Sequence, residues 1–295
     1  MTRAHHAGRW CRCFGADTRA LRSHGTTDRF EVVSPMISSS RSPLSDPLRW
    51  PSPEAFTPLE IGHVHLWSVD LSAVDPFGSA LPLSSAEEAR AMEFRFLRDA
   101  HRFRVAMWMR RSVLGRYLDR DPAKIAFRAG AYGRPELDET GEPSRLRFNA
   151  SHSDTLSILA VTLQDDVGVD IEIPRPLPDC VQLARDTFHP LEVRAIEGVA
   201  GQAEREAAFY RCWTRKEALA KAVGLGFHLP FNSFAVEVSP RSDPALVAVE
   251  REAAITQQWA LRDISVPPQA YIALAMRQPV RQIAAWSWRP FALRG

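Results

Sequence analysis

Residues 167–173 read VGVDIEI, with Val167, Val169, Ile171 and Ile173 alternating against Gly168, Asp170 and Glu172. Successive side chains of a strand point to opposite faces, so this segment must bury one purely apolar face while holding two carboxylates side by side on the other. A helix would scatter both sets around its axis. The chain is therefore committed to a sheet with a covered face. Upstream, GHVHLWSVDL sets Val64, Leu66 and Val69 among polar neighbours and predicts a strand. A helix is predicted from Ser84 or Ser85, with Glu87 and Glu88 in its first turn, and a second from about Asp99 to Leu118. Strands at KIAFRA, LRFNAS and LSILAVTL follow, with a Gly/Pro loop at YGRPEL. Beyond VGVDIEIP, helical patterning runs from Cys180 to Ile196 and from about Glu204 to Val223, where Gly224 and Gly226 stop it. NSFAVEV, ALVAVE, QWALRDI, YIALAMR and AAWSW read as short strands. A strand, two helices and strands thus occur twice, which predicts an α+β fold of two similar halves meeting near residue 165.

The 295 residues bound that reading. Residues 1–58, rich in Ser, Pro, Arg and Gly, bury too little apolar surface to offset ordering and are expected to form a disordered leader, with Met36 an alternative start. The folded halves are then 59–165 and 166–290. The longest largely apolar run, Leu156 to Leu163, is far short of the roughly 20 residues of a spanning helix, so no membrane partner is expected. A net charge of +2 gives no support for nucleic-acid binding. Four cysteines make no disulfide framework, and the spacing of Cys11 and Cys13 matches no standard zinc pattern, so a reducing, cytoplasmic setting is expected. Only three lysines occur, Lys124, Lys216 and Lys221, and two of them lie in one segment.

Three segments could carry chemistry. Asp170 and Glu172 offer hard oxygen ligands of the kind that hold Mg²⁺ against substrate phosphates, or simply the solvated face of an edge strand. In FYRCWTRKEALAKAVGLGF, Trp213, Glu217 and Lys221 are spaced by four and share a helix face, with Lys216 on a neighbouring flank. Glu217 could complete a three-carboxylate site while the lysines neutralise phosphate charge; the plain alternative is a surface ion pair of about 0.3 to 0.5 kcal/mol. In RFNASHS, Asn149, Ser151, His152 and Ser153 crowd one strand end, and hydroxyl, imidazole and backbone amide groups together suit phosphate oxygens, or merely a satisfied turn histidine. Arg102 and Arg134 read individually as solvated charges.

Taken in order, AHRFRVAMWMRRSVL, YGRPEL, FNASHS, VGVDIE and WTRKEALAKAVGLGF resemble the 4′-phosphopantetheinyl transferase superfamily, in its long, monomeric Sfp-like branch. The resemblance spans roughly residues 60 to 280, and its last two motifs, about 45 residues apart, are specific together. It implies two α+β halves related by a pseudo-twofold, with coenzyme A in the cleft between them and an acyl or peptidyl carrier protein as partner. By the same resemblance, Asp170, Glu172 and Glu217 would hold Mg²⁺ against the pyrophosphate, with Glu217 or a water it orients as the base. His152, with Ser151 and Arg102, would approach the adenosine 3′-phosphate, Asn149 would also line the coenzyme A site, Arg134 would stand in the G-[KR]-P position, and Lys216 and Lys221 would face the pyrophosphate or pantetheine. The pattern departs at Glu87 and Arg90, where lysines often stand, and at Phe103, where a small hydroxyl residue can occur. The reaction so implied moves phosphopantetheine from coenzyme A to a carrier serine, giving the holo carrier and adenosine 3′,5′-bisphosphate. A Mg²⁺-dependent phosphohydrolase or a non-catalytic coenzyme A-binding module are the rival readings.

Overall fold

The computed structural model describes residues 48, 50–51, 58–75, 81–138, 144–240, 244–249, 255, 259–264, 270–277 and 280–290. Within them the chain runs through β1 (His63–Asp70), α1 (Ser85–Met92), α2 (Leu97–Leu118), β2 (Phe127–Ala129), β3 (Pro135–Leu137), β4 (Leu146–Ser153) and β5 (Leu156–Leu163). It continues with β6 (Val167–Glu172), α3 (Cys180–Thr187), α4 (Pro190–Glu197) and α5 (Gln202–Val223). Five strands close it, β7 (Phe234–Val236), β8 (Leu246–Val249), β9 (Ala260–Asp263), β10 (Tyr271–Met276) and β11 (Gln282–Ser287). The α+β class expected from the sequence is the class observed.

One sheet has the order β11-β1-β5-β4 and another the order β6-β10-β9, while β2-β3 and β7-β8 form separate pairs. The parity of each strand decides what it covers. On β6, Val167, Val169 and Ile171 join Ile272, Leu274 and Met276 of β10 in a core shared with Val64, Leu66, Ile158 and Ala160 of the first sheet. The other face of the second sheet is lined by small groups, with Ala273 and Ala275 packed into the core around α5. Gly168 completes that face: a Cβ there would lie 1.9 Å from the Ala218 carbonyl oxygen and 2.5 Å from the Ala222 nitrogen. The helix α5 therefore rests directly on the carboxylate face of β6, which is covered rather than solvated.

Local chemistry sets several boundaries. Ser84 caps α1 by accepting from the Glu87 amide while the Glu87 carboxylate accepts from the Ser84 amide. The helix expected from Cys180 to Ile196 is instead two, because Pro190 holds His189 extended and starts a new helix that the His189 side chain caps. The expected leader lies largely outside the described residues; of its described part, Leu48 is buried in the core, and the Trp50 and Pro51 carbonyls accept from Ser287. Residues 164–166 form the turn between β5 and β6, and β11, from the segment assigned to the second half, pairs in parallel with β1 in the first sheet. Among the described residues no helix is long and apolar enough to cross a membrane.

Candidate active site

The edge strand β4 lies against β6, and period-two alternation aims every second residue of RFNASHS across that seam. The Asn149 side-chain oxygen accepts from the Val169 amide at 3.0 Å. Ser151 Oγ donates to Asp170 Oδ1 at 2.8 Å, and Ser153 Oγ donates to Glu172 Oε2 at 2.9 Å while accepting from the Ile173 amide at 3.1 Å. From the opposite side α5 brings Lys221, whose Nζ donates to Asp170 Oδ1 at 2.6 Å and Ser151 Oγ at 2.9 Å. Glu217, one turn earlier on the same helix face, is 4% exposed, with Asp170 at 3% and Glu172 at 8%.

Three buried carboxyls around one ammonium are short of positive charge. Burial, then repulsion from Asp170, pushes Glu172 up to about 8 despite the Ser153 hydroxyl and Lys221. Burial likewise raises Glu217 to about 7, with Lys221 opposing and Asp170 reinforcing the shift. Asp170 Oδ2 and Glu217 Oε1 are buried without a hydrogen-bond partner. Orphaned carboxylate oxygens cost free energy in a protein interior unless a cation meets them, so this donor set fits a hard divalent ion. Among the described residues, no group of three His, Cys, Asp or Glu side chains is drawn together at ligand spacing. Asp170 Oδ1 is already shared by Ser151 and Lys221, which leaves Oδ2 as the open ligand.

The other residues expected at the site are distributed around it. His152 has the opposite parity to Ser151 and lines a cavity between β4 and α2; burial, then the charges of Lys221, Arg110 and Arg102, lowers it to about 4. Arg102 reaches Asp154 in the β4–β5 turn at 3.4 Å, and Arg175 approaches the same carboxylate at 3.7 Å. Arg134 closes the C-terminus of α5, donating to the Ala222 carbonyl at 3.4 Å and pairing with Asp166 at 3.3 Å.

Lys216 is placed elsewhere, and the expectation that it faces a ligand is corrected. Neighbouring residues of a helix point about 100° apart, so with Glu217 and Lys221 toward β6, Lys216 turns into the core. It is wholly buried, its Nζ 2.8 Å from both Glu192 oxygens and 2.6 Å from the Phe234 carbonyl. Lys216→Ala should lower the unfolding free energy by about 3 to 5 kcal/mol, because Glu192 is left charged and buried. Urea unfolding measures this; a loss below about 1 kcal/mol, the scale of an exposed pair, would remove the structural role.

Sequence reasoning overlooked Gly168, Asp154 and Arg110, and it read Ser153 with the phosphate-binding groups rather than as a partner of Glu172, although its parity with Asn149 and Ser151 was a usable signal. A glycine among β-branched residues was the signal for Gly168, since Gly inside a strand marks a close backbone approach.

Residues 166–275 match the family model described as the 4′-phosphopantetheinyl transferase superfamily, and residues 73–164 match that of the 4′-phosphopantetheinyl transferase N-terminal region. The chain is 31% identical over 242 residues to the 4′-phosphopantetheinyl transferase HetI of a Nostoc species, covering 81% of this chain and 95% of that protein. It is 31% identical to Sfp of Bacillus subtilis, with 53% of this chain and 72% of that one aligned. A human relative, L-aminoadipate-semialdehyde dehydrogenase-phosphopantetheinyl transferase, is 25% identical over 65% of this chain and 66% of its own. With β4, β6 and α5 inside the two family-model matches and a relative 31% identical over 81% of the chain, the chain belongs to the 4′-phosphopantetheinyl transferase family.

Proposed function

We propose that the protein transfers the 4′-phosphopantetheine group of coenzyme A to a serine of an apo acyl or peptidyl carrier protein, releasing adenosine 3′,5′-bisphosphate. The observation that carries this reading is the buried set of Asp170, Glu172 and Glu217 against Lys221, with two carboxylate oxygens left open. The seryl oxygen forms a bond to the phosphorus that bears pantetheine, while the bond from that phosphorus to the bridging oxygen breaks. Both reactants are electron-rich, so neutralising charge is the main task. Asp170, Glu172 and Glu217 would hold Mg²⁺, which when bound supplies positive charge to the pyrophosphate. Lys221 adds a fixed cation beside Asp170, placed to stabilise the departing phosphate. Glu217, or a water it orients, would take the seryl proton. The arrangement is tested by incubating protein, coenzyme A, Mg²⁺ and apo carrier and weighing the carrier. A phosphopantetheine adduct is expected; none with several carriers overturns the reading. Breakdown of coenzyme A without any carrier would favour a phosphohydrolase.

The same carboxyls predict how stability responds to pH. Folded Glu172 and Glu217 hold protons up to about 8 and about 7, whereas an unfolded glutamate releases its proton near about 4.3. Between those values the native state binds more protons, so unfolding free energy falls as pH rises. Buried His65 and His152, both lowered to about 4, act oppositely but only below about pH 6.5, where unfolded histidine charges. From about pH 6.5 to 8 the metal-free protein should therefore lose melting temperature, and Mg²⁺ should flatten that slope. Thermal melts with chelator and with Mg²⁺ check both; a metal-free curve that is flat over this window would contradict the burial of the carboxyls.

A further inference from the structure

We propose that Ser153 makes the carboxylate site selective for Mg²⁺ over Ca²⁺ by tying one oxygen of Glu172, a proposal that rests on the reading of Asp170, Glu172 and Glu217 as a metal set. The Ser153 hydroxyl is buried and fully committed. It accepts from the Ile173 amide at 3.1 Å, so its single proton goes to Glu172 Oε2, at 2.9 Å. Ser151 holds Asp170 in the same way, donating to Oδ1 at 2.8 Å, where Lys221 also donates at 2.6 Å. Both serine–carboxylate pairs span 19 residues, so each carboxylate of β6 meets one hydroxyl of β4 in a constant register. The outcome is one tied and one open oxygen on each. Asp170 Oδ2 has no partner, and among the described residues no hydrogen bond reaches Glu172 Oε1.

That division matters because the two ions use carboxylates differently. Mg²⁺ demands a near-octahedral set of oxygens at about 2.0 to 2.1 Å, whereas Ca²⁺ takes about six to eight at about 2.3 to 2.6 Å and often clasps a carboxylate through both. A hydroxyl bonded to one oxygen fixes the plane of the carboxylate and favours ligation through the other. Asp170 and Glu172 are thereby held to single-oxygen ligation, which suits the smaller ion and disfavours the clasp that the larger one uses. Ser151 cannot test this cleanly, since its hydroxyl also accepts from Lys221 at 2.9 Å. The Ser153 hydroxyl bonds only Glu172 and the Ile173 amide, so the tether can be removed there by itself. Ser153 is a positioning residue: it acts on the ion through Glu172.

Calorimetric titration of the full chain with Mg²⁺ and with Ca²⁺, without coenzyme A and at one pH, reads the selectivity independently of transfer. The parent should bind Mg²⁺ at least as tightly as Ca²⁺. Ser153→Ala should weaken Mg²⁺ binding about 10-fold, the lower end of the usual cost of removing a group that orients a ligand, and leave Ca²⁺ within about twofold. The preference for Mg²⁺ should therefore fall about 5-fold or more. Ser153→Thr keeps the hydroxyl and should keep the parent ratio. An unchanged ratio in Ser153→Ala, or a parent that binds Ca²⁺ the tighter or binds neither ion, overturns the proposal. If the alanine variant fails to fold, Ser153→Cys decides by the same ratio, because a thiol of similar shape is only a weak donor. Carrier modification separates this outcome from the transferase reading. A parent that modifies no carrier, yet shows a Ser153-dependent ion ratio, removes that reading and keeps the selectivity; a parent that modifies carriers with a Ser153-independent ratio does the reverse.

Discussion

Glu217→Gln should lower kcat for carrier modification by about 10² to 10³-fold, the usual cost of losing one group that acts on charge in the transition state. The substitution keeps shape and removes charge. Glu217 is 4% exposed on α5, and its Oε1 has no donor, so the amide loses no protein hydrogen bond at that oxygen. What it loses is the acceptor for the seryl proton and one oxygen of the proposed Mg²⁺ set. Stability should move the other way. Asp170 repels the ionised Glu217 and burial opposes its charge, so the metal-free variant should melt higher than the parent at about pH 8, where the parent carboxylate is ionised. Lower activity with higher metal-free stability is the signature of a functional carboxylate held at a cost to the fold. Steady-state kinetics and melts at two pH values test it, and full activity in the variant would remove Glu217 from the chemistry.

Gly168→Val should destabilise the protein by about 3 kcal/mol or more, at or beyond the top of the range for overpacking, and abolish transfer by any molecules that remain folded. A Cβ at 168 would meet backbone atoms of α5, the Ala218 oxygen at 1.9 Å and the Ala222 nitrogen at 2.5 Å. No rotamer change relieves a clash with backbone, so the helix must lift from β6. Glu217 and Lys221 ride on that helix, while Asp170 and Glu172 ride on the strand. A displacement of about 1 Å between reacting groups is enough to cost about 10²-fold in rate. Gly198 supplies the control: it has ordinary backbone geometry, and an added Cβ would come no nearer than 3.4 Å to the Arg194 oxygen. Gly198→Ala should be tolerated or slightly stabilising. Urea unfolding of both variants checks this, and equal effects would show that the α5–β6 approach is not the constraint.

Much of the site was legible because it depends on period. Alternation in VGVDIE put both carboxylates on one face, spacing by four put Glu217 and Lys221 on one helix face, and Ser84 with Glu87 marked a helix start. Other features depend on what fills the far side. WTRKEA holds Lys216 as close to Glu217 as a residue can be, and composition made both nearby lysines look functional. The structure separates them, since one meets Asp170 and the other Glu192. Pro190 was visible in the sequence, but the apolar pattern ran through it and concealed the break between α3 and α4. Arg110 was one arginine among many until its neighbours were known.

By itself the sequence determined the parity of each strand, the exposed or buried stripe of each helix and the family pattern that links them, because these follow from residue type and backbone repeat alone. Tertiary structure decided which face met which. It set α5 on the carboxylate face through Gly168, joined β4 to β6 through Asn149, Ser151 and Ser153, buried Lys216, and left Arg110 without a counter-ion among the described residues. The physical reason is that partners far apart along the chain are chosen by packing. Whether a charge is paired depends on those partners and on the water they exclude, neither of which is written in local spacing.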